Sequence, residues 1–170
     1  MSTVLAVAQR GADVLNIVAA PVIEAEYNSA WLHILISSMQ ATMLERQGVG
    51  IAAPQVYVSK RVIIVASRAN ARYPDAPDMP AIAMINPEII FRSEQQLLGE
   101  EGCLSVPEQR GSVARAADIR VRYCNELGDI IEQDFSGFPA RIVQHEIDHL
   151  DGILFVDRVT PNTMALLEQG

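Results

Sequence analysis

The five residues His145-Glu146-Ile147-Asp148-His149 restrict the fold more than any other stretch of the chain. Four residues is about one helical turn, so on an α-helix both imidazoles project from one face and can grip one cation. Glu146 then lies about 100° round the helix from His145, close enough to reach a water on that cation without being a ligand. H-E-x-x-H also arises by chance on helices whose His and Glu simply face solvent. Here the chain has 3 histidines and two of them sit in this motif, which favours a metal site.

A mononuclear catalytic site takes three protein ligands and keeps one position open. After His149 the remaining candidates are Asp151, Asp157 and Glu168, none at a customary spacing. Upstream, Glu101-Gly102-Cys103-Leu104-Ser105 offers a thiolate beside a flexible glycine, with Pro107 close behind. Cys103 is therefore read as the third ligand, the alternative being a buried core thiol. Cys124, inside a strand pattern, takes that plainer reading. Two cysteines are too few for a disulfide framework.

A third constellation is Gly48-Val49-Gly50-Ile51-Ala52-Ala53-Pro54-Gln55. Its small residues let backbone approach a ligand closely, and Gln55 supplies an amide donor that never changes charge. Alone, the stretch reads equally as a tight helix-to-strand turn. It has neither the spacing nor the lysine of a phosphate loop.

Around these motifs the pattern predicts α+β architecture, with antiparallel strands packed around a central helix that bears H-E-x-x-H. A first helix is expected over Ser29–Gln47, from Leu32, Leu35, Ile36, Met39 and Met43 at helical spacing, capped by Asn28 or Ser29 and stopped at Gly48. Strands are expected at Arg61–Ser67, Ala81–Arg92, Ile119–Cys124 and Ile130–Phe135, the last two joined by a turn at Asn125–Asp129. Asn70–Pro80, with three prolines, reads as a surface loop. The motif helix is expected to open at Pro139 and stop near Gly152, and Pro161 to open a short C-terminal helix. His33 reads as a surface or satisfied histidine, and Trp31 as packing.

The length of 170 residues suits a single catalytic domain over 1–170. Apolar residues make up 49% of the chain and aromatics 5%, so the core is mostly aliphatic. A net charge of −8 argues against nonspecific nucleic-acid binding. No apolar run approaches the roughly 18 residues of a membrane span. Met1–Leu5 lacks the pattern of a signal peptide, so a reducing cytoplasmic setting is expected.

Taken together, G-V-G-I-A-A-P-Q, E-G-C-L-S and Q-H-E-I-D-H resemble the three signature motifs of the peptide deformylase family, in order, over a likeness running from Leu5 to Val159. Ile51 stands where leucine is commoner in the family. The resemblance implies hydrolysis of the formyl group from N-formylmethionine at the start of a nascent polypeptide, releasing formate. It implies one divalent ion, Fe2+ by family habit with Ni2+, Co2+ or Zn2+ as replacements, on Cys103, His145 and His149. Glu146 would be the general acid/base. Gln55 and the Leu104 N–H would donate to the oxyanion.

Peptide backbone would pair with Gly48–Gly50 and with the segment from Gly102 to Val106. Val49, Ile51, Leu104 and Ile142 are candidates for the methionine pocket, with Phe138 at its mouth. Asp148 is expected to pair with Arg115, and Gln144 and Ser105 to orient ligands. Contact with the ribosome is expected from the substrate. Two rivals share parts of the pattern: a zinc peptidase, which should supply a later third ligand, and a structural metal site, which should be closed by a fourth.

Overall fold

The computed structural model describes residues 3–69 and 73–159. Helix α1 (Ala30–Glu45) starts where the Ser29 hydroxyl accepts a hydrogen bond from the Leu32 N–H. Leu32, Leu35, Ile36, Met39 and Met43 are buried along one face, each worth about 1.5–3 kcal/mol of transfer free energy. The helix ends in a Schellman turn, with the Gly48 N–H donating to the Met43 carbonyl and the Gln47 N–H to that of Leu44. Its left-handed residue is Gln47 (φ 56°), one position before the glycine stop expected from sequence. Gly48 is small for a different reason: a side chain there would meet Leu104 at 3.1 Å.

Among the described residues seven strands follow: β1 (Gly50–Ala52), β2 (Val62–Ser67), β3 (Met79–Arg92), β4 (Gln96–Cys103), β5 (Val106–Ala116), β6 (Asp118–Cys124) and β7 (Ile130–Ser136). Five form an antiparallel sheet in the order β1-β2-β3-β6-β7, and β4 pairs with β5 alone. Strand β2 reads as an unbroken apolar run because both its faces are covered. Val62 and Ile64 pack toward α1, while Ile63 and Val65 pack toward helix α2 (Gly137–Leu150).

The expected strands at 81–92, 119–124 and 130–135 all form, within a residue or two of their expected ends. Two expectations need correction. Met79 and Pro80, assigned to the loop, already belong to β3, and the register shift opposite Val65 and Ser67 relieves Pro80 of a ladder donor it lacks. Residues 70–72 of that loop, and the helix expected from Pro161, lie outside the described residues. The β4–β5 hairpin was not foreseen. Gly99, Gly102, Gly111 and Pro107, with charges between them, break the apolar alternation, and its buried Glu101 and Arg115 satisfy each other 2.9 Å apart.

Helix α2 carries Pro139 in its first turn and closes in a second Schellman turn, with Gly152 left-handed at φ 77°. It lies between the five-stranded sheet and the hairpin, and every residue from Ala140 to Leu150 is buried. A helix buried all round must find partners for its polar side chains, since an unpaired buried polar group costs about 1–3 kcal/mol. Among the described residues, no helix is long and apolar enough to cross a membrane.

Candidate metal centre and active site

The hairpin turn after β4 brings Cys103 against α2, where His145 and His149 present adjacent faces. The three ligating atoms lie within 4.8 Å of one another, and all three residues are buried. Cys103 Sγ is 3.3 Å from His149 Nε2. Soft sulfur with two imidazole nitrogens is a donor set that suits a late divalent transition metal. Among the described residues the group has three ligands and no fourth protein donor, which fits an open position rather than a closed structural site.

Glu101 organises the centre. Its Oε1 accepts a hydrogen bond from His145 Nδ1 at 2.9 Å, which leaves His145 Nε2 for the cation. The same carboxylate takes Arg115 through both Nε and Nη2 at 2.9 Å, and Arg141 Nη1 at 2.7 Å. Burial by itself raises the Glu101 pKa, but the hydrogen bonds from Arg115 and His145 outweigh it and hold the carboxyl well below the usual range. Arg115 continues to Asp148, which also receives Arg158, so the expected Asp148–Arg115 pair is present with an added partner.

The pKa values of the two imidazoles are pushed in opposite directions. Burial and then the charge of His145 push His149 well below its ordinary value. Burial also opposes charge on His145, yet contacts from Cys103, Glu101 and Glu146 overcome it and raise its pKa.

Glu146 is buried beside these groups, and among the described residues its Oε1 meets no hydrogen-bond partner. Burial pushes its carboxyl up to about 7, with Glu101 adding in the same direction and His145 opposing it. A nearby divalent cation acts to lower it. Gly50 lies directly against Glu146 and Ile142, with no room for a side chain.

Gln55 sits in the 3₁₀ turn Ala53–Val56. The Ala52 N–H donates to its Oε1 at 2.9 Å and thereby fixes which end of the amide faces the centre. Gln55 Nε2 points to Ser105 Oγ at 3.1 Å and to Cys103 Sγ at 3.5 Å. The N-terminal segment clasps both turns: the Ala8 N–H donates to the Gln55 carbonyl and the Arg10 N–H to that of Ser105.

A cleft opens over this centre, lined by Gly48–Gly50, Gly102–Leu104, Phe138 and Ile142, with His145 and Glu146 at its floor. It runs between the free edge of β1 and the end of β4. Ile51 does not reach it. Its side chain is turned into the core against α1, so only its backbone belongs to that edge. The Gln144 amide bonds the backbone of Ala116 and Ala140 and ties α2 to β5. Trp31 packs part of its ring and leaves 41% of its surface exposed, and His33 is held at the surface by Glu126 and Asn28.

The family model of polypeptide deformylases matches residues 4–165. The chain belongs to the polypeptide deformylase family. These enzymes are hydrolases that remove the N-formyl group from polypeptides, and the chain is such a deformylase. It is similar to peptide deformylase 2 of Nostoc sp., at 49% identity over 84% of this chain and 79% of that protein. Its structure resembles a class I type b peptide deformylase from Acinetobacter baumannii bound to Met-Ala-Ser. That likeness has 64% identity and a TM-score of 0.92, covering 94% of this chain and 100% of the other. The peptide deformylase of Thermotoga maritima is further off, at 35% identity and a TM-score of 0.82, over 94% of this chain and 99% of the other.

Glu101 was visible in sequence only as the first letter of its motif. An acid two residues before a ligating cysteine, with Arg115 and Arg141 downstream, is the signal that would have found it. Tyr73, which also lines the deformylase cleft, sits inside the proline-rich loop just before Pro74 and carries no such signal.

Proposed function

We propose that the chain removes the formyl group from N-formylmethionine at the start of nascent polypeptides, using Fe2+ on Cys103, His145 and His149, with Ni2+, Co2+ or Zn2+ as possible replacements. The observation that carries the reading is the placement of Glu146, buried beside the three donor atoms and pressed against Gly50 at the floor of a cleft. Fe2+ is the family's habitual ion, and the sulfur–nitrogen donor set accepts any of the four. A divalent cation held there supplies Lewis acidity, lowering the pKa of a water and drawing charge onto the formyl oxygen.

The residues of the chain do the rest. Glu146 accepts a proton from the attacking water and returns one to the departing α-amine. Gln55 Nε2, already oriented by the Ala52 N–H, and the backbone N–H of Leu104 donate to the oxyanion that develops as the water adds. Peptide backbone lies extended between Val49–Ile51 on the β1 edge and Gly102 on β4. The methionine side chain rests among Val49, Leu104 and Ile142, with Phe138 at the mouth. A formyl carbon carries hydrogen where other amides carry carbon, and the tight floor formed by Gly50 and Glu146 favours it over acetyl. The Met-Ala-Ser bound by the Acinetobacter baumannii relative is the product such a reaction leaves.

The work is done in the cytoplasm, close to the ribosome, by one catalytic domain. Anaerobically prepared, iron-loaded protein is expected to release formate from formyl-Met-Ala-Ser, and to leave acetyl-Met-Ala-Ser and the unblocked peptide intact. Absence of formate from protein of verified metal content overturns the reading.

A further inference from the structure

The cleft has a wall that the mechanism does not use. The Tyr73 ring packs on Phe138, with centroids 4.6 Å apart and planes tilted by 48°. Arg110 lies over the Tyr73 ring, 5.1 Å from its centroid. Arg110 is itself anchored to Glu100 at 2.5 Å, and its Nη1 leaves no room for a side chain on Gly102. So held, the Tyr73 hydroxyl accepts a hydrogen bond from the Gly102 N–H at 3.3 Å.

Gly102 belongs to β4, whose one strand partner among the described residues is β5. An N–H on its other side is the kind of main-chain donor that an added peptide strand uses. We propose that Tyr73 is a positioning residue of the peptide-binding edge that competes with the substrate main chain for the Gly102 N–H, so that an extended formyl peptide must displace the hydroxyl to bind. The inference rests on the deformylase reading and on peptide pairing at the β4 edge. A long, neutral hydrogen bond contributes modestly, so displacement weakens peptide binding by about two- to fivefold. The competition is for a main-chain N–H rather than for a ligand or the acid/base carboxylate, so the chemical step is indifferent to it.

Tyr73→Phe keeps the ring between Phe138 and Arg110 and removes the competing oxygen, while Glu100 still anchors Arg110. Wild type and variant are compared in two measurements: turnover of formyl-Met-Ala-Ser, and calorimetric binding of the product Met-Ala-Ser. The expected result is a KM and a Kd each about two- to fivefold lower in the variant, with kcat unchanged. An unchanged or raised KM and Kd overturns the proposal, the raised case meaning that the hydroxyl binds the peptide itself. A change in kcat alone also overturns it. Failure of the wild type to release formate would instead strike the deformylase reading, so the two failures are told apart.

Discussion

Gly50 and Glu146 touch so closely that a methyl group on Gly50 would stand 2.5 Å from the Glu146 carboxylate and 2.9 Å from Ile142. Gly50→Ala must therefore push the carboxylate off its position or shift the β1 edge. A misplacement of about 1 Å costs roughly a hundredfold in rate. The variant is expected to stay folded and to lose about that much kcat. A melting curve alongside formate release checks both, and near-normal turnover would show that the contact has slack.

Replacing Glu146 separates metal binding from catalysis. Glu146→Gln should keep its ion, since the ligating atoms come from Cys103, His145 and His149, and lose about 10²–10⁴ in kcat. Burial raises the carboxyl toward about 7 and a cation draws it back down. As a base it works only when deprotonated, so kcat/KM should fall toward acid as Glu146 takes up its proton. Whatever activity Glu146→Gln retains should lack that acid limb, and a retained limb would assign it elsewhere.

Glu101 is expected to matter for stability as much as for the ion. Its carboxylate is the common partner of Arg115, Arg141 and His145, so Glu101→Gln leaves buried guanidinium charge uncompensated, at about 3–5 kcal/mol. The folded pKa lies below the unfolded value of about 4.3, so its contribution is present above that value and fades as pH falls through the folded one. Urea titrations of wild type and variant at neutral pH measure the difference. A gap under 1 kcal/mol would mean that the arginines find other acceptors.

Cys103→Ala should release the metal on dialysis, read by elemental analysis, while the hairpin persists through its β4–β5 pairing. Stoichiometric metal after dialysis would remove Cys103 from the ligand set.

The sequence exposed those parts whose chemistry is local. The spacing of His145 and His149 needs only one helical turn to be read, and β2 declares itself through Val62–Val65, apolar on both faces. The β4–β5 hairpin stayed hidden because its buried residues are Glu101 and Arg115, charges that look like surface until their partners are seen. Ile51 looked like pocket wall because motif position says nothing of which way a side chain alternates. Gln144 looked like a ligand's neighbour because helical adjacency to His145 is not contact. Tyr73 reaches Gly102 across 29 positions of chain, a meeting that only tertiary structure creates.

One ligand comes from the tip of the hairpin and two from α2, so a bound ion ties Cys103 to His145, 42 positions on, and to His149, 46 positions on. An ion that binds the folded chain and not the unfolded one adds about 4 kcal/mol at a thousandfold excess over its Kd. The centre is thus also a fastener. Chelation should lower the melting temperature and loosen the hairpin from the helix before the five-stranded sheet gives way. How long each molecule survives is then set partly by the metal supply around it.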